Sequence, residues 1–183
     1  MTTPRSTQRV PLEERREQIL EAALHEFSHK GLHGGSTMNI AREVGISQPN
    51  IFRIFSTKHE LFVAVLQRVF EKIEATMLAA GESAEGEPLY AMSDAWGELM
   101  EERENMFMLL QGYAASDDST IRDLMHDWTR EVFERTEALP GVGEDASHDF
   151  FAAGMLYMVA TAMDLPAREG EDAWAARFLA SGA

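Results

Sequence analysis

Helical periodicity runs through almost the whole chain of 183 residues and constrains its fold more than any other feature. Apolar residues recur three and four positions apart, as in the stripe of Leu20, Ala23, Leu24 and Phe27. No stretch sustains the apolar–polar alternation that is typical of a β-strand. Each amphipathic helix has to bury its apolar face against other helices. The sequence therefore predicts an all-α fold with about nine helices.

Length and composition limit the classes of protein that remain. A chain of this size forms one domain, or two small units that share a core. It contains no cysteine, which excludes disulfides, thiolate zinc sites and cysteine catalysis. Its apolar runs fall short of the ~18 residues of a membrane span. The polar N-terminus, residues 1–10, lacks the apolar segment of a secretory signal. We expect a cytoplasmic protein without a membrane partner.

Charge is distributed unevenly along the chain, whose net charge is −15. Residues 1–72 carry ten Lys and Arg against eight Asp and Glu, whereas residues 73–183 carry six against 23. Between Phe27 and His59 there are four basic residues and one acidic residue. An acidic body thus carries a short, locally positive N-terminal unit. This pattern is compatible with a nucleic-acid partner at that unit, although it does not require one.

Two short helical segments joined by a tight turn lie between Ser36 and Phe55. This spacing is typical of a helix-turn-helix. Ser36 or Thr37 is expected to cap the first helix by accepting a bond from a free backbone N–H. Gly45 permits the positive φ of the turn. Ile46 is expected to fill the core between the two helices.

The second helix of this unit is predicted over residues 48–55. Ser47 is expected to cap it, and Pro49 lies in its first turn, where a missing N–H costs little. At about 100° per residue, the inward positions are Ile51, Phe52 and Phe55, and the outward ones are Gln48, Pro49, Asn50 and Arg53. Gln and Asn suit adenine, and Arg suits guanine. A solvated polar face is equally ordinary on a surface helix, so the face alone leaves both interpretations open.

The sequence around this unit resembles the N-terminal DNA-binding domain of the tetracycline-repressor (TetR) family. About 50 residues resemble it, in the segments RREQILEAALHEFSHKG and STMNIAREVGISQPNIFRIFSTKHELF. The matching positions are Ile19, Ala22, Ala23, Phe27, Gly31, Ile40, Ala41, Gly45, Ser47, Phe52, Phe55, Lys58 and Leu61. The resemblance implies a one-component transcriptional regulator, in most cases a repressor, without enzymatic activity or a cofactor. It also implies a homodimer that binds a palindromic operator in double-stranded DNA and releases it when a small-molecule effector enters the C-terminal domain.

The resemblance assigns DNA binding to residues 1–57, and effector binding and dimerisation to residues 58–183. The residues implied at the DNA are Ser36, Thr37, Ser47, Gln48, Pro49, Asn50, Arg53, Thr57 and Lys58. Within that set, Arg53, Gln48 and Asn50 would face the major groove, whereas Ser36, Thr37, Thr57 and Lys58 would contact phosphates.

Two positions of the second helix depart from the family pattern. Phe52 stands where the family often has a Tyr, and Ile54 stands where a His or Tyr is common. Both changes remove polar contacts to phosphate, which lowers the expected DNA affinity without affecting the fold. Arg5 and Arg9 precede Pro11 in a polar tail, and arms of this kind can enter an adjacent minor groove.

Methionine and tryptophan are concentrated in the C-terminal part. Eight of the eleven methionines lie between Met92 and Met163, together with Trp96 and Trp128. Considered one at a time, these residues are expected in a packed core, but the resemblance implies a pocket between the helices that carry them. The candidate lining residues are Met92, Trp96, Met100, Phe107, Leu110, Met125, Trp128, Phe151, Met155 and Met158. Because the surrounding charge is acidic, we expect a mainly apolar effector that is neutral or cationic.

A helix predicted over residues 147–165 is apolar all round, with charges only at Asp149 and Asp164, near its ends. Such a helix is buried on both sides, as a core helix or at a subunit interface. The resemblance implies that this helix and the last one, residues 171–181, form the dimer interface.

Other chemistries have weaker support in the sequence. Glu21, His25 and His29 are spaced four residues apart, and His33 follows. This spacing can hold a metal, but the histidines lie on the polar side of their helix, so we expect a solvated face and no metal site. Two alternatives to a regulator stay open. One is a helical protein-interaction module, and the other is an all-α enzyme or lipid carrier that uses the Met-rich cavity.

Overall fold

A computed structural model describes residues 10–168, 170 and 173–179. Within these residues the chain is helical and contains no strand, which confirms the all-α prediction. The helices are α1 Leu12–Gly34, α2 Thr37–Val44, α3 Gln48–Phe52, α4 Lys58–Ile73, α5 Ala79–Ser83, α6 Pro88–Glu101, α7 Arg103–Ala114, α8 Ser119–Glu137, α9 Glu144–Ala162 and α10 Ala173–Leu179. A π-helical turn, Glu74–Leu78, joins α4 to α5 without a break. The described residues thus form nine separate helices when this rod is counted once.

The rod of α4, the π turn and α5 begins with the capping box that its sequence predicts. The Thr57 hydroxyl accepts a bond from the Glu60 N–H at 3.0 Å. The Glu60 carboxylate in turn accepts from the Ser56 N–H at 2.8 Å. The apolar stripe of the rod is buried as predicted, from Phe62 to Met77. The helix was predicted to end near residue 80, and it continues to Ser83. A Cβ at Gly81 would lie only 2.7 Å from the Met92 side chain of α6.

Helix α1 changes direction at Gly31, where the backbone adopts a φ of 66° before helical geometry resumes. The sequence predicts a stop at this glycine, and the structure shows a kink. A Cβ at Gly31 would lie only 2.6 Å from Oε1 of Gln111 on α7. Glycine is thus favoured here by its backbone conformation and by the close approach of α7.

One apolar core connects the helices from α1 to α9. Helix α1 packs against α2, α4 and α7, while α9 packs against α6, α7 and α8. A second, smaller cluster joins Ala160 and Leu165 to Ala175 of α10. In the described part of the chain, no helix has the length and apolar character needed to cross a membrane.

The C-terminal helices follow their predicted positions, with shifted ends. Helix α9 was predicted over 147–165 and spans Glu144–Ala162. The last helix was predicted over 171–181, and the described part of it is Ala173–Leu179. The remaining positions of that prediction, and Arg5 and Arg9, lie outside the described residues.

Candidate nucleic-acid interface and ligand cavity

A buried carboxylate holds the first helix of the helix-turn-helix in place. Glu26 of α1, whose side chain is 8% exposed, accepts bonds from the Ser36 N–H at 2.9 Å and the Asn39 amide at 3.2 Å. The Lys30 ammonium binds the same carboxylate at 2.9 Å. Burial by itself raises the pKa of Glu26, but the hydrogen bonds from Lys30, Ser36 and Asn39 outweigh it and the net pKa is lowered. Glu26 thus fixes the start of α2 against α1.

The role of Glu26 is not evident from the sequence. A carboxylate in the middle of a helix is usually a solvated residue. Its partners Ser36 and Asn39 lie ten and 13 positions further along the chain. Only the position of Lys30, four residues after Glu26, gives a local signal.

The turn between α2 and α3 has the predicted geometry. Gly45 adopts the left-handed conformation, with φ 72° and ψ 32°. Ser36 caps α2 by accepting from the Asn39 N–H, and Ile46 packs half-buried against the core. Ser47 was expected to cap α3, but its side chain makes no capping hydrogen bond.

Helix α3 is shorter than predicted, since it ends at Phe52 rather than at residue 55. Ile51 and Phe55 are buried, as expected. Phe52 was expected to face inward, but it is 40% exposed. A helix of five residues contacts the core along a narrow strip around Ile51, and Phe52 lies about 100° away from that strip. The result is an aromatic ring on the outer surface.

The four outward positions of α3 are exposed, namely Gln48, Pro49, Asn50 and Arg53. Arg53 is the C-cap residue of the helix rather than part of its body. The Gln48 amide donates to the Thr37 hydroxyl at 2.7 Å. Thr37 itself is only 7% exposed, so its hydroxyl orients Gln48 and is poorly placed for the predicted phosphate contact.

Lys58, another predicted phosphate contact, already has partners in the protein. Its ammonium donates to the carbonyl oxygens of His33 and Gly35, each at 3.2 Å. Thr57 is exposed and uses its hydroxyl to cap α4. The start of α4 is therefore fixed against the end of α1, directly beside the helix-turn-helix.

An apolar cavity of about 50 Å³ lies between the rod and helices α6 to α9. Its lining residues are all uncharged: Met77, Trp96, Leu109, Tyr113, Trp128, Thr129, Val132, Phe150, Phe151, Gly154, Met155 and Met158. Burial raises the pKa of Tyr113, and a hydrogen bond with Thr129 partly opposes that shift. The indole N–H groups of Trp96 and Trp128 are buried and have no acceptor among the described residues. The cavity thus combines apolar walls with two free donors.

Five of the ten predicted lining residues reach this cavity: Trp96, Trp128, Phe151, Met155 and Met158. Met92, Met100 and Met125 are buried in the core and do not line this cavity. Phe107 and Leu110 do not line it either. Methionines in the same stretch of sequence point in different directions, and helix periodicity alone does not separate a cavity wall from a core.

Within the described part of the chain, helix α9 is buried on one side only. Met158 and Ala160 face inward, whereas Leu156 and Val159 are 41% and 43% exposed. On α10, Trp174 and Phe178 are also exposed, at 48% and 36%. Neighbouring exposed apolar side chains of this kind often mark an interaction site. Of the two alternatives for this helix, the exposed face favours a subunit interface over a central core helix.

Comparisons with known proteins agree with this architecture. Residues 19–65 match the family described as bacterial regulatory proteins, tetR family. The chain is 45% identical over 60 residues to the HTH-type transcriptional activator FasR of Mycolicibacterium smegmatis, covering 33% of this chain and 27% of that protein. It thus spans well under two thirds of that relative's length.

Solved structures show the same fold over most of the chain. A TetR-family transcription regulator from Shewanella sp. PV-4, described as putative, superposes with a TM-score of 0.66 at 22% identity, covering 90% of this chain and 93% of that one. The multidrug binding protein EbrR, complexed with malachite green, superposes with a TM-score of 0.60 at 21% identity, covering 79% and 83%. The match to the tetR family covers residues 19–65, and the greater part of the chain shares the fold of these solved structures. The FasR and Shewanella proteins are named as transcription regulators, and EbrR is named as a multidrug binding protein.

Proposed function

We propose that this protein is a DNA-binding transcriptional regulator that acts as a homodimer and releases its operator when it binds a small apolar ligand. The observation that carries the proposal is the exposed polar surface of α3, with Gln48, Asn50 and Arg53 facing outward from a buried Ile51. A recognition helix enters the major groove with such a surface. The match of residues 19–65 to the family supports the same role.

Within this proposal, Arg53 reads guanine, and Gln48 or Asn50 reads adenine. The hydrogen bond from Gln48 to Thr37 holds the amide in one orientation, which favours selective pairing with a base edge. The exposed ring of Phe52 suits contact with a thymine methyl group. Ser36, Ser47, Pro49, Thr57 and Lys58 border this surface. Of these, Lys58 acts mainly by fixing α4, since its ammonium is bonded to His33 and Gly35.

The exposed faces of α9 and α10 are proposed to form the dimer interface. A two-fold interface has to be self-complementary, and an apolar face with Leu156 and Val159 can pair with its own copy. The dimer would place two copies of α3 on half-sites about one or more helical turns apart. The operator is therefore expected to be palindromic.

The cavity is proposed to be the effector site. Its volume of about 50 Å³ is well below the ~300–1,000 Å³ of a site for a drug-sized molecule. A ligand would therefore move side chains or helices as it enters. Uncharged walls and the free N–H groups of Trp96 and Trp128 suit a mainly apolar molecule that carries a hydrogen-bond acceptor. The acidic surroundings favour neutral or cationic ligands over anions.

Helix α7 gives this proposal a route from the cavity to the DNA. Leu109 and Tyr113 of α7 line the cavity. Another face of α7 packs on α1, where the Gln111 amide donates to the Ser28 carbonyl at 3.4 Å. A ligand that displaces α7 would shift α1 and, through Glu26, the helix-turn-helix. If the ligand prefers the shifted state, it lowers DNA affinity by that difference in binding free energy.

Selection from a random duplex pool tests the proposal and yields the operator at the same time. We expect enrichment of two-fold symmetric sites, with an affinity that falls steeply as salt rises. Absence of any duplex binding at low salt would favour a helical interaction module instead. A reporter gene under the selected site then tests repression, which is expected if the bound dimer occludes the promoter.

A further inference from the structure

Two histidines of α1 and one glutamate of α7 meet at the contact between the two helices. His25 and His29 are one helical turn apart, and Glu104 approaches them from the opposite side. One nitrogen from each imidazole and one carboxylate oxygen all lie within 4.8 Å of one another. We propose that this cluster binds a divalent transition metal and thereby fastens α1 to α7.

The hydrogen bonds of the two histidines indicate which ring nitrogen carries the proton. His29 Nδ1 lies 2.8 Å from the His25 carbonyl oxygen, which can only accept. Nδ1 of His29 must therefore carry the proton, and the lone pair remains on Nε2. A backbone carbonyl that fixes the tautomer in this way is a common support for a metal-binding histidine. His25 Nδ1 donates to the Glu104 carboxylate at 2.6 Å, so a metal bound to this nitrogen would displace that proton to solvent.

Two imidazole nitrogens and a carboxylate oxygen, with acidic side chains nearby, favour a divalent cation of borderline Lewis acidity such as Zn²⁺. Two imidazoles and a carboxylate are a known three-ligand set for zinc, with water in the remaining position. Glu26 and Glu43 add negative potential at His25. Donors around a tetrahedral Zn²⁺ are roughly 3.3 Å apart, given bond lengths near 2.0–2.1 Å. The three donor atoms would have to come closer together to bind one metal ion. Small side-chain rotations would achieve this, because the His25 and Glu104 side chains are 57% and 41% exposed and can move.

Helical spacing alone did not reveal this arrangement. The sequence places Glu21 and His33 on the same helix as the two histidines, but neither belongs to the cluster. The third donor is 79 residues from His25 in the chain. Without it, a pair of histidines on a polar helix face predicts only a solvated surface.

A metal at this position would connect the helix that supports the helix-turn-helix with the helix that lines the cavity. Metal binding would therefore oppose any movement of α7 relative to α1. This consequence for DNA release rests on the proposed function, whereas the metal site itself does not. Binding of the metal can accordingly be measured without DNA.

The test uses the full chain without a polyhistidine tag, at pH 7.5, with Zn²⁺ in calorimetry and Co²⁺ in absorption spectroscopy. We expect one equivalent of Zn²⁺ per chain and a rise in the unfolding temperature on binding. His25→Ala, His29→Ala and Glu104→Gln should each weaken Zn²⁺ binding at least about tenfold. His126→Ala is the matched control, because His126 is also an exposed histidine beside a carboxylate, that of Asp127. It should change the affinity less than about twofold.

Three outcomes would overturn the proposal. The first is no saturable uptake of Zn²⁺ or Co²⁺, which would leave the cluster as a surface ion pair. The second is an equal loss of affinity in His25→Ala and His126→Ala. The third is Zn²⁺ binding that Glu104→Gln leaves unchanged, which would place the metal on α1 alone and remove the link to α7. Because the three side chains are at the surface, circular dichroism should show native helix content in every variant.

Discussion

In the helix-turn-helix, α2 is fixed by hydrogen bonds to the buried Glu26, and the outward face of α3 is largely polar. Helix α9 is held by apolar packing around Met158, and its outward face carries Leu156 and Val159. Among residues 10–168, 170 and 173–179, both regions leave one face exposed, yet the chemistry of the two faces is opposite. A surface with amide and guanidinium groups suits base edges and phosphates, whereas an apolar face suits a second copy of itself. Two different partners are therefore expected at these two faces.

The largest effect is expected at the apolar face. Leu156→Glu would place a charge in the proposed interface and should weaken dimerisation by about 2–4 kcal/mol. Sedimentation should show monomers at concentrations where the wild-type chain is dimeric. Tyr90→Glu on α6 is the control, since Tyr90 is 73% exposed and lies outside the proposed interface. A dimeric Leu156→Glu variant would remove this residue from the interface.

Ala160 and Gly154 are poorer positions for that test. Ala160 is completely buried within the chain, so a glutamate there would unfold the protein whether or not α9 forms an interface. A side chain at Gly154 would point toward the indole of Trp96, whose Nε1 lies 3.8 Å from the added Cβ. Val159, which is exposed, offers a second position at which the effect of Leu156→Glu can be reproduced.

The second-largest effect is expected for substitutions on the polar face of α3. Arg53→Ala should weaken operator binding by about 1–3 kcal/mol, because a bidentate contact to a base is lost. Binding to random duplex should change much less, since only base reading is affected. Fluorescence anisotropy on both duplexes measures the difference, with Arg130→Ala as an exposed control on α8. Equal losses on both duplexes would show that Arg53 contacts phosphate instead.

A third variant tests whether polar bonds stabilise the helix-turn-helix. Glu26→Ala leaves the Ser36 N–H and the Asn39 amide without their acceptor, which should lower the free energy of unfolding by about 1–3 kcal/mol. Urea denaturation measures this change. Glu21→Ala is the matched control, because Glu21 is an exposed glutamate on the same helix. Equal effects of the two substitutions would contradict the structural role of Glu26.

The smallest effect on stability is expected at the N-cap of α8, in a part of the molecule that is held together mainly by apolar packing. Asp118 accepts from the N–H groups of Thr120 and Ile121. Its pKa is lowered, first by His59 and then by these backbone groups. Its contribution to stability is therefore present above the unfolded pKa of about 3.8, and it is lost as the pH falls through the lower folded value.

Asp118→Asn removes that pH dependence. Between pH 5 and about pH 2, the unfolding temperature of the wild-type chain should fall more than that of the variant. Thermal unfolding followed by circular dichroism measures the two slopes. Parallel slopes would mean that Asp118 does not contribute to acid sensitivity.

Local chemistry determined much of the helix-turn-helix. Ser36 and Thr57 cap helices because their hydroxyls reach backbone N–H groups within three residues, and Gly45 adopts the conformation that its missing Cβ permits. These interactions span a few positions, so they can be recognised in the sequence. The apolar stripe of α4 can also be recognised in the sequence, because it has to be buried whichever helices cover it.

The tertiary structure decided which faces meet. Phe52 is exposed because α3 contacts the core along one narrow strip, and Met92 packs in the core while Met158 lines a cavity, although both are methionines on apolar helices. Glu26 is buried by partners up to 13 residues away, and Glu104 joins His25 across 79 residues. Helical periodicity specifies that a side chain is on an inner or outer face. It does not specify the neighbour, because that depends on how rigid helices pack against one another in three dimensions.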